Sequence, residues 1–261
     1  MLIKRTIYLI KTKKNVVLEI YVPNTSHKLD TIYFLDGQNT FLDKNATYKR
    51  SLRMKKHFKY LENELNKYAL GVAIYNGESE KERNNEYAPF KITYSYIKEM
   101  KTNNPNKFRC FISDLKNIII PYIEENFNVY KDINHRFIYG SSLAATTTLY
   151  LAYSKDKLFN TVGCFSTALF LFHDEFYNYL NKRKNSNARI FLYVGKNEIS
   201  DAIKDKSLYL NTSLELYNYL KDKGNDTKLL ISKDGIHNEA SWDKVFNYFL
   251  SFIYNSDITI I

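Results

Sequence analysis

Cysteine is scarce: Cys110 and Cys164 are the only two in 261 residues, in the apolar contexts KFRCFI and TVGCFS. Two cysteines are too few for a disulfide scaffold, and both read as reduced core residues rather than nucleophiles. Glycine (8) and proline (4) are equally sparse, so no flexible or stiff linker divides the chain, and no repeat recurs at a fixed period. A single domain over 1–261 is expected. No apolar stretch reaches the ~18 residues of a membrane span. The opening MLIKRTIYLIKTKK lacks the apolar core and small-residue cleavage site of an export signal. These absences point to a soluble, cytoplasmic protein without a membrane partner, and no metal or cofactor is expected.

Aromatic and basic residues are abundant. Hydrophobic residues make up 44% of the chain and aromatics 16%, enough for one large core. Lysine and arginine number 38 against 28 aspartates and glutamates, a net charge of +10, concentrated in KTKK (11–14), KRSLRMKK (49–56) and KRK (182–184). Because no nucleic-acid-binding motif accompanies the charge, it reads as a solvated lysine-rich surface, and no nucleic-acid partner is expected.

Short β-branched or aromatic runs alternate with helical periodicity, the pattern of an α/β fold with a mostly parallel sheet. The runs predict strands at 5–10, 16–22, 31–35, 69–75, 136–140, 161–166, 189–194 and 227–232, the first two as a hairpin. Helices are expected at 49–67, 108–126, 142–154, 172–183, 207–223 and 239–254, the fifth closed by Gly224-Asn225-Asp226. In such a sheet chemistry collects in the loops at the carboxyl ends of the strands.

RFIYGSSLA places a glycine and two serines between a strand and a helix. Ser142 there sits on a tight turn, hydroxyl exposed and helix N-terminus aimed at it, and is the candidate nucleophile; Ser141 packs within the turn. GSSLA matches Gly-x-Ser-x-Gly with Ala144 in the last place. A serine nucleophile needs a base, and the base an orienting acid. His237, in SKDGIHNEASW after the last strand, is the candidate base. The other histidines (His27, His57, His135, His173) read as surface or core residues. Glu198, in YVGKNEISD after strand 189–194, is the candidate acid, with Asp201 as its rival. The order serine, acid, histidine is that of an α/β-hydrolase. The oxyanion needs N–H donors: the backbone N–H of Leu143, and that of Gln38 in YFLDGQNTF, where Gly37 permits a sharp turn.

Taken together these segments resemble the esterase D-like family of α/β-hydrolases, over nearly the whole chain. YFLDGQNTF is similar to the family's Leu-Asp-Gly-Gln loop, and AIYNGESEKERNNEYAPF to its Arg-x-x-Glu-Tyr segment, here Arg83, Glu86 and Tyr87. RFIYGSSLA resembles the nucleophile elbow, LYVGKNE the acid segment and HNEASW the histidine segment. Ala144 for glycine and FSTAL (165–169) for Phe-Ser-Pro-Ala are departures that remove no reacting group. The Asp-Gly-Gln-Asn loop and Asn-Glu-Ala-Ser-Trp ending lie nearest the enterochelin and bacillibactin esterase branch. The resemblance implies an α/β-hydrolase fold of about eight strands and carboxylester hydrolysis without a cofactor. Some members of that branch resemble serine–histidine dyads, which would make the acid dispensable.

About 22 residues separate strands 161–166 and 189–194, room for one helix and no large lid. Asp36, Asn39, Arg83, Tyr87 and Trp242 are candidate substrate contacts, Arg83 alternatively a structural partner of Glu86. Phe90, Phe170 and Phe172 are further candidates to line the site. Short acyl or aryl esters are the expected substrates, and an anionic siderophore trilactone would suit an open electropositive cleft. The competing readings are a non-catalytic binding module on this scaffold and an acyltransferase.

Overall fold

The computed structural model describes residues 1–94, 103–183, 186–200 and 203–255. Eight strands, all anticipated from the sequence, form one sheet: β1 (Leu2–Leu9), β2 (Lys14–Tyr21), β3 (Asp30–Phe34), β4 (Ala69–Ile74), β5 (Arg136–Ser141), β6 (Thr161–Phe165), β7 (Arg189–Gly195) and β8 (Thr227–Ser232). Their spatial order is β1-β2-β4-β3-β5-β6-β7-β8. β1 and β2 form an antiparallel hairpin and β2 runs antiparallel to β4; from β4 to β8 every pairing is parallel.

The central strands are apolar on both faces because helices cover both. Along β3, Ile32 and Phe34 join a layer with Phe58 and Phe246, whereas Tyr33 joins the opposite layer with Phe111 and Leu149. The first layer is closed by α1 (Met54–Glu64) and α8 (Glu239–Tyr254). The second is closed by α3 (Pro105–Asp114), α4 (Ile120–Asn126), α5 (Leu143–Ala152), α6 (His173–Asn181) and α7 (Lys206–Asp222). The register aligns the strand ends: Ser141 is level with Phe165, Phe165 with Tyr193, and Gly195 with Ser232. The loops leaving β5, β6, β7 and β8 therefore emerge along one edge.

Helix boundaries depart from expectation in three places. The helix expected at 49–67 begins only at Met54, after Arg53 in the left-handed region. The helix expected at 108–126 is split by a π turn, Leu115–Ile119, just before Pro121, whose missing N–H removes a helical donor. An unanticipated helix, α2 (Glu80–Tyr87), has no apolar stripe; a capping box between Ser79 and Glu82 starts it. The β6–β7 connection holds a 3-10 turn (Leu169–Phe172) and α6 among its described residues. Cys164 is buried, as expected, whereas Cys110 on α3 is half-exposed.

Candidate active site

Between β5 and α5 the chain turns so sharply that Ser142 adopts φ 58° and ψ −124°. A non-glycine residue is held there only if its surroundings determine it. Here they do: Ser142 N–H donates to Phe165 O at 2.8 Å, and Ser142 O accepts from Ala145 N and Ala168 N, each at 3.2 Å. The hydroxyl is lifted above the sheet edge. Leu143 N–H is one of the first N–H groups of α5, which have no acceptor within the helix.

His237 reaches the serine from the β8–α8 loop, its Nε2 3.0 Å from Ser142 Oγ and its Nδ1 3.0 Å from Glu198 Oε2. Hydroxyl, imidazole and carboxylate thus form one hydrogen-bonded chain. The loops carrying acid and imidazole touch backbone to backbone, and the contact requires glycine: a Cβ on Gly195 would lie 2.3 Å from Gly235 O, and one on Gly235 2.8 Å from Gly195 Cα.

Glu198 is completely buried. Its Oε1 accepts from Gly195 N–H at 2.7 Å and from Ser166 Oγ–H at 2.6 Å, so together with His237 the carboxylate has three partners. Ser166 in turn accepts from Trp242 Nε1 at 2.8 Å. The Trp242 ring stands edge-on to the imidazole, with centroids 5.3 Å apart. On the other side the Tyr209 ring lies 4.4 Å from the imidazole, and its hydroxyl is 3.5 Å from Nε2. Burial holds the Tyr209 phenol above its ordinary pKa, so it stays protonated. Asp201 lies outside the described residues.

The loop after β3 faces Ser142 across the cleft. Asp36 takes the left-handed conformation and a 3-10 turn, Gly37–Asn39, follows. The positive φ therefore falls on Asp36. Glycine is needed at 37 for a different reason: a Cβ there would meet the backbone of Ile74 at 2.5 Å. The Gln38 side chain is held by Asn76, Nε2 donating to Oδ1 at 3.0 Å.

Of the expected substrate contacts, Asp36, Asn39, Arg83 and Trp242 line a cleft of about 720 Å³ together with Ser142, Leu143 and His237. Arg83 grips Asp36 with two hydrogen bonds, Nε to Oδ1 at 2.7 Å and Nη2 to Oδ2 at 2.6 Å. Burial opposes its charge, and the Asp36 carboxylate more than offsets that, holding its pKa above the ordinary value. Its expected partner Glu86 pairs with Lys14 instead. Tyr87 is fully buried, not a cleft residue; its hydroxyl accepts Asp36 N–H at 3.0 Å and so positions the loop. Asn39 is engaged too, Nδ2 donating to Glu239 Oε1 at 2.8 Å and Oδ1 accepting from Thr47 N. Phe170 lines the cleft, whereas Phe90 and Phe172 pack against Phe176 in the core.

Sequence reasoning missed Ser166, Tyr209 and Glu239. Glu239, the first residue of α8, is buried in the cleft wall; desolvation, assisted by Asp36, pushes its carboxyl up to about 7. Among the described residues no cluster of histidine, cysteine or carboxylates could hold a metal, and no helix is long and apolar enough to cross a membrane.

Known proteins give this geometry a context. YbbA, an uncharacterized protein of Bacillus subtilis (strain 168), is 25% identical over 150 residues, 56% of this chain and 60% of that relative's length. Among solved structures, an IroE-like serine hydrolase from Shewanella oneidensis superposes with a TM-score of 0.78 at 13% identity, over 99% of this chain and 82% of that one. The enterobactin esterase FES of Shigella flexneri, in the presence of enterobactin, superposes with a TM-score of 0.76 at 14% identity, over 98% of this chain and 59% of that one. At such identities these structures show the shared α/β-hydrolase fold. The profile of the family described as "Putative esterase" matches residues 11–253, and the chain belongs to that family.

Proposed function

We propose that the protein is a serine carboxylester hydrolase working through an acyl-enzyme. The observation that carries this reading is the hydrogen-bonded chain Ser142–His237–Glu198 at the mouth of an open cleft. His237 Nε2 takes the Ser142 proton as Oγ attacks the ester carbonyl, and Glu198 holds the imidazole in the right tautomer and stabilises its cation. The oxyanion is received by the backbone N–H groups of Leu143 and Gln38. His237 then protonates the departing alcohol, and a water activated by the same nitrogen hydrolyses the acyl-serine. Membership of an esterase family supports the reaction class. Two free cysteines fit a reducing, cytoplasmic setting.

The test is Ser142→Ala with p-nitrophenyl butyrate and a fluorophosphonate probe. We expect kcat to fall by at least ~10³ and labelling to vanish while the fold persists. Full activity in the variant would reject the serine mechanism. Short acyl or aryl esters are the proposed substrates. A siderophore trilactone in its uncharged, iron-free form is the second reading, favoured by the likeness to an esterase solved with enterobactin.

A further inference from the structure

The chain's surplus of positive charge does not extend into the cleft. Arg83 is the one lysine or arginine in its described lining, against the carboxyls of Asp36, Glu78, Glu80 and Glu239. Arg83 is held by both carboxylate oxygens of Asp36. Behind the lining, Lys14 is paired with Glu86 and Lys4 with Glu19. Within the lining, what is left over is acidic: Glu78 and Glu80 at the rim, and Glu239 inside, 94% buried by its 6% exposure and with Asn39 as its side-chain partner. The cleft is also divided in character. Ala168, Phe170, Leu171 and Ile203 form an apolar side, while Asn45, Tyr48, Tyr75 and Asn76 stand with the carboxyls on the other.

We infer that this cleft selects esters joining a short apolar group to a polar group that is uncharged or cationic, and discriminates against anionic esters. The inference rests on the esterase reading of the cleft. At physiological ionic strength the Debye length is about 8 Å, so distant surface lysines are screened from a bound ester while the carboxyls of the cleft wall are not. A quaternary ammonium beside the exposed Tyr48 ring also gains attraction to the aromatic face. An anionic ester finds no unpaired cation in the described lining and meets like charge instead.

The experiment compares kcat/KM at about 0.15 M salt for three butyryl esters of similar size: that of choline, that of its uncharged carbon isostere 3,3-dimethylbutanol, and that of a carboxylate-bearing alcohol. We expect the choline ester to exceed the anionic ester by about tenfold or more, with the isostere between them. The double variant Glu78→Gln, Glu80→Gln should shrink that ratio to about threefold. An anionic ester cleaved as fast as the choline ester would overturn the inference and leave the esterase reading standing. Failure to cleave any of them, with no serine labelled by a fluorophosphonate, would overturn the esterase reading itself. Should Ser142 be labelled without turnover, labelling rates of ammonium- and carboxylate-tailed fluorophosphonates decide: the cationic probe reacting faster supports the inference, equal rates sink it.

Discussion

Ser166 connects two residues that bracket the imidazole, donating to Glu198 and accepting from Trp242. Ser166→Ala removes one of three partners from a buried carboxylate and leaves a buried indole N–H without its acceptor. Losing a hydrogen bond to a charged group costs about 2 kcal/mol, so thermal unfolding should move to lower temperature. A Glu198 less firmly held should also lower kcat about tenfold with KM little changed; wild-type kcat would restrict Ser166 to a structural role. Glu239 makes a second case. Its carboxyl is raised from 4.5 to about 7, chiefly by burial and then by Asp36, with Arg83 and Asn39 acting the other way. Because the folded pKa lies above the unfolded one, the folded state binds more protons between those values. The stability this group contributes is full below about 4.5 and lost as pH rises through about 7. Glu239→Gln should remove up to about 3 kcal/mol of that pH dependence, read from urea unfolding at pH 5 and pH 8. An unchanged slope would show the carboxyl titrating normally.

At the level of elements, α1 and α8 are joined by a buried polar cluster. Asp243 Oδ1 lies 2.7 Å from His57 Nε2, while His57 Nδ1 meets Asn247 Oδ1 at 2.6 Å. Arg50 and Lys56 also reach the Asp243 carboxylate. Burial opposes the Asp243 charge, but His57 and Lys56 outweigh it and lower the pKa. Its contribution to stability is therefore present above the usual aspartate range and lost as pH falls below it. Asp243→Asn should cost about 3 kcal/mol near neutral pH, because His57, Arg50 and Lys56 lose a charged partner, and should shift Tm downward; an unshifted Tm would make the cluster dispensable. The sequence made some of this architecture legible and hid the rest for physical reasons. The central strands could be read because strands covered on both faces are short continuous apolar runs, and the partly exposed edge strands β1 and β8 because they are rich in β-branched residues. Ser142, Glu198 and His237 could be placed because each follows a strand. α2 escaped notice because its residues are polar all round, although Ser79 and Glu82 carried the capping signal. The spacing of Arg83 and Tyr87 was visible, but not that one binds Asp36 and the other turns into the core, since that depends on how the helix is rotated against the sheet. Ser166 reaches Glu198 from the turn after β6 and Tyr209 meets the imidazole from α7, and no local pattern encodes such convergence.

For the whole molecule, net charge and local charge lead to opposite expectations. A chain at +10 has a field that collects polyanions at low salt, a property of the surface as a whole rather than of the fold. The cleft lining is acidic, so the same polyanions are disfavoured near Ser142. The protein should therefore be retained on a heparin column at low ionic strength and released as salt rises, with affinity falling linearly in logarithmic terms, as expected when bound counterions are released. Soluble heparin added at saturating concentration should meanwhile leave kcat/KM for neutral p-nitrophenyl butyrate within about twofold of its value without heparin, because the described lining around the serine offers it carboxyls and no unpaired lysine or arginine. Measuring that rate at 0.01 M and 0.15 M salt, with and without heparin, separates the alternatives. Competitive inhibition that disappears at the higher salt would place the basic surface at the mouth of the cleft and revive an anionic ester as substrate. Retention without inhibition would assign the positive charge to solubility and nonspecific contact, with specificity left to the carboxyls and aromatic rings around the serine.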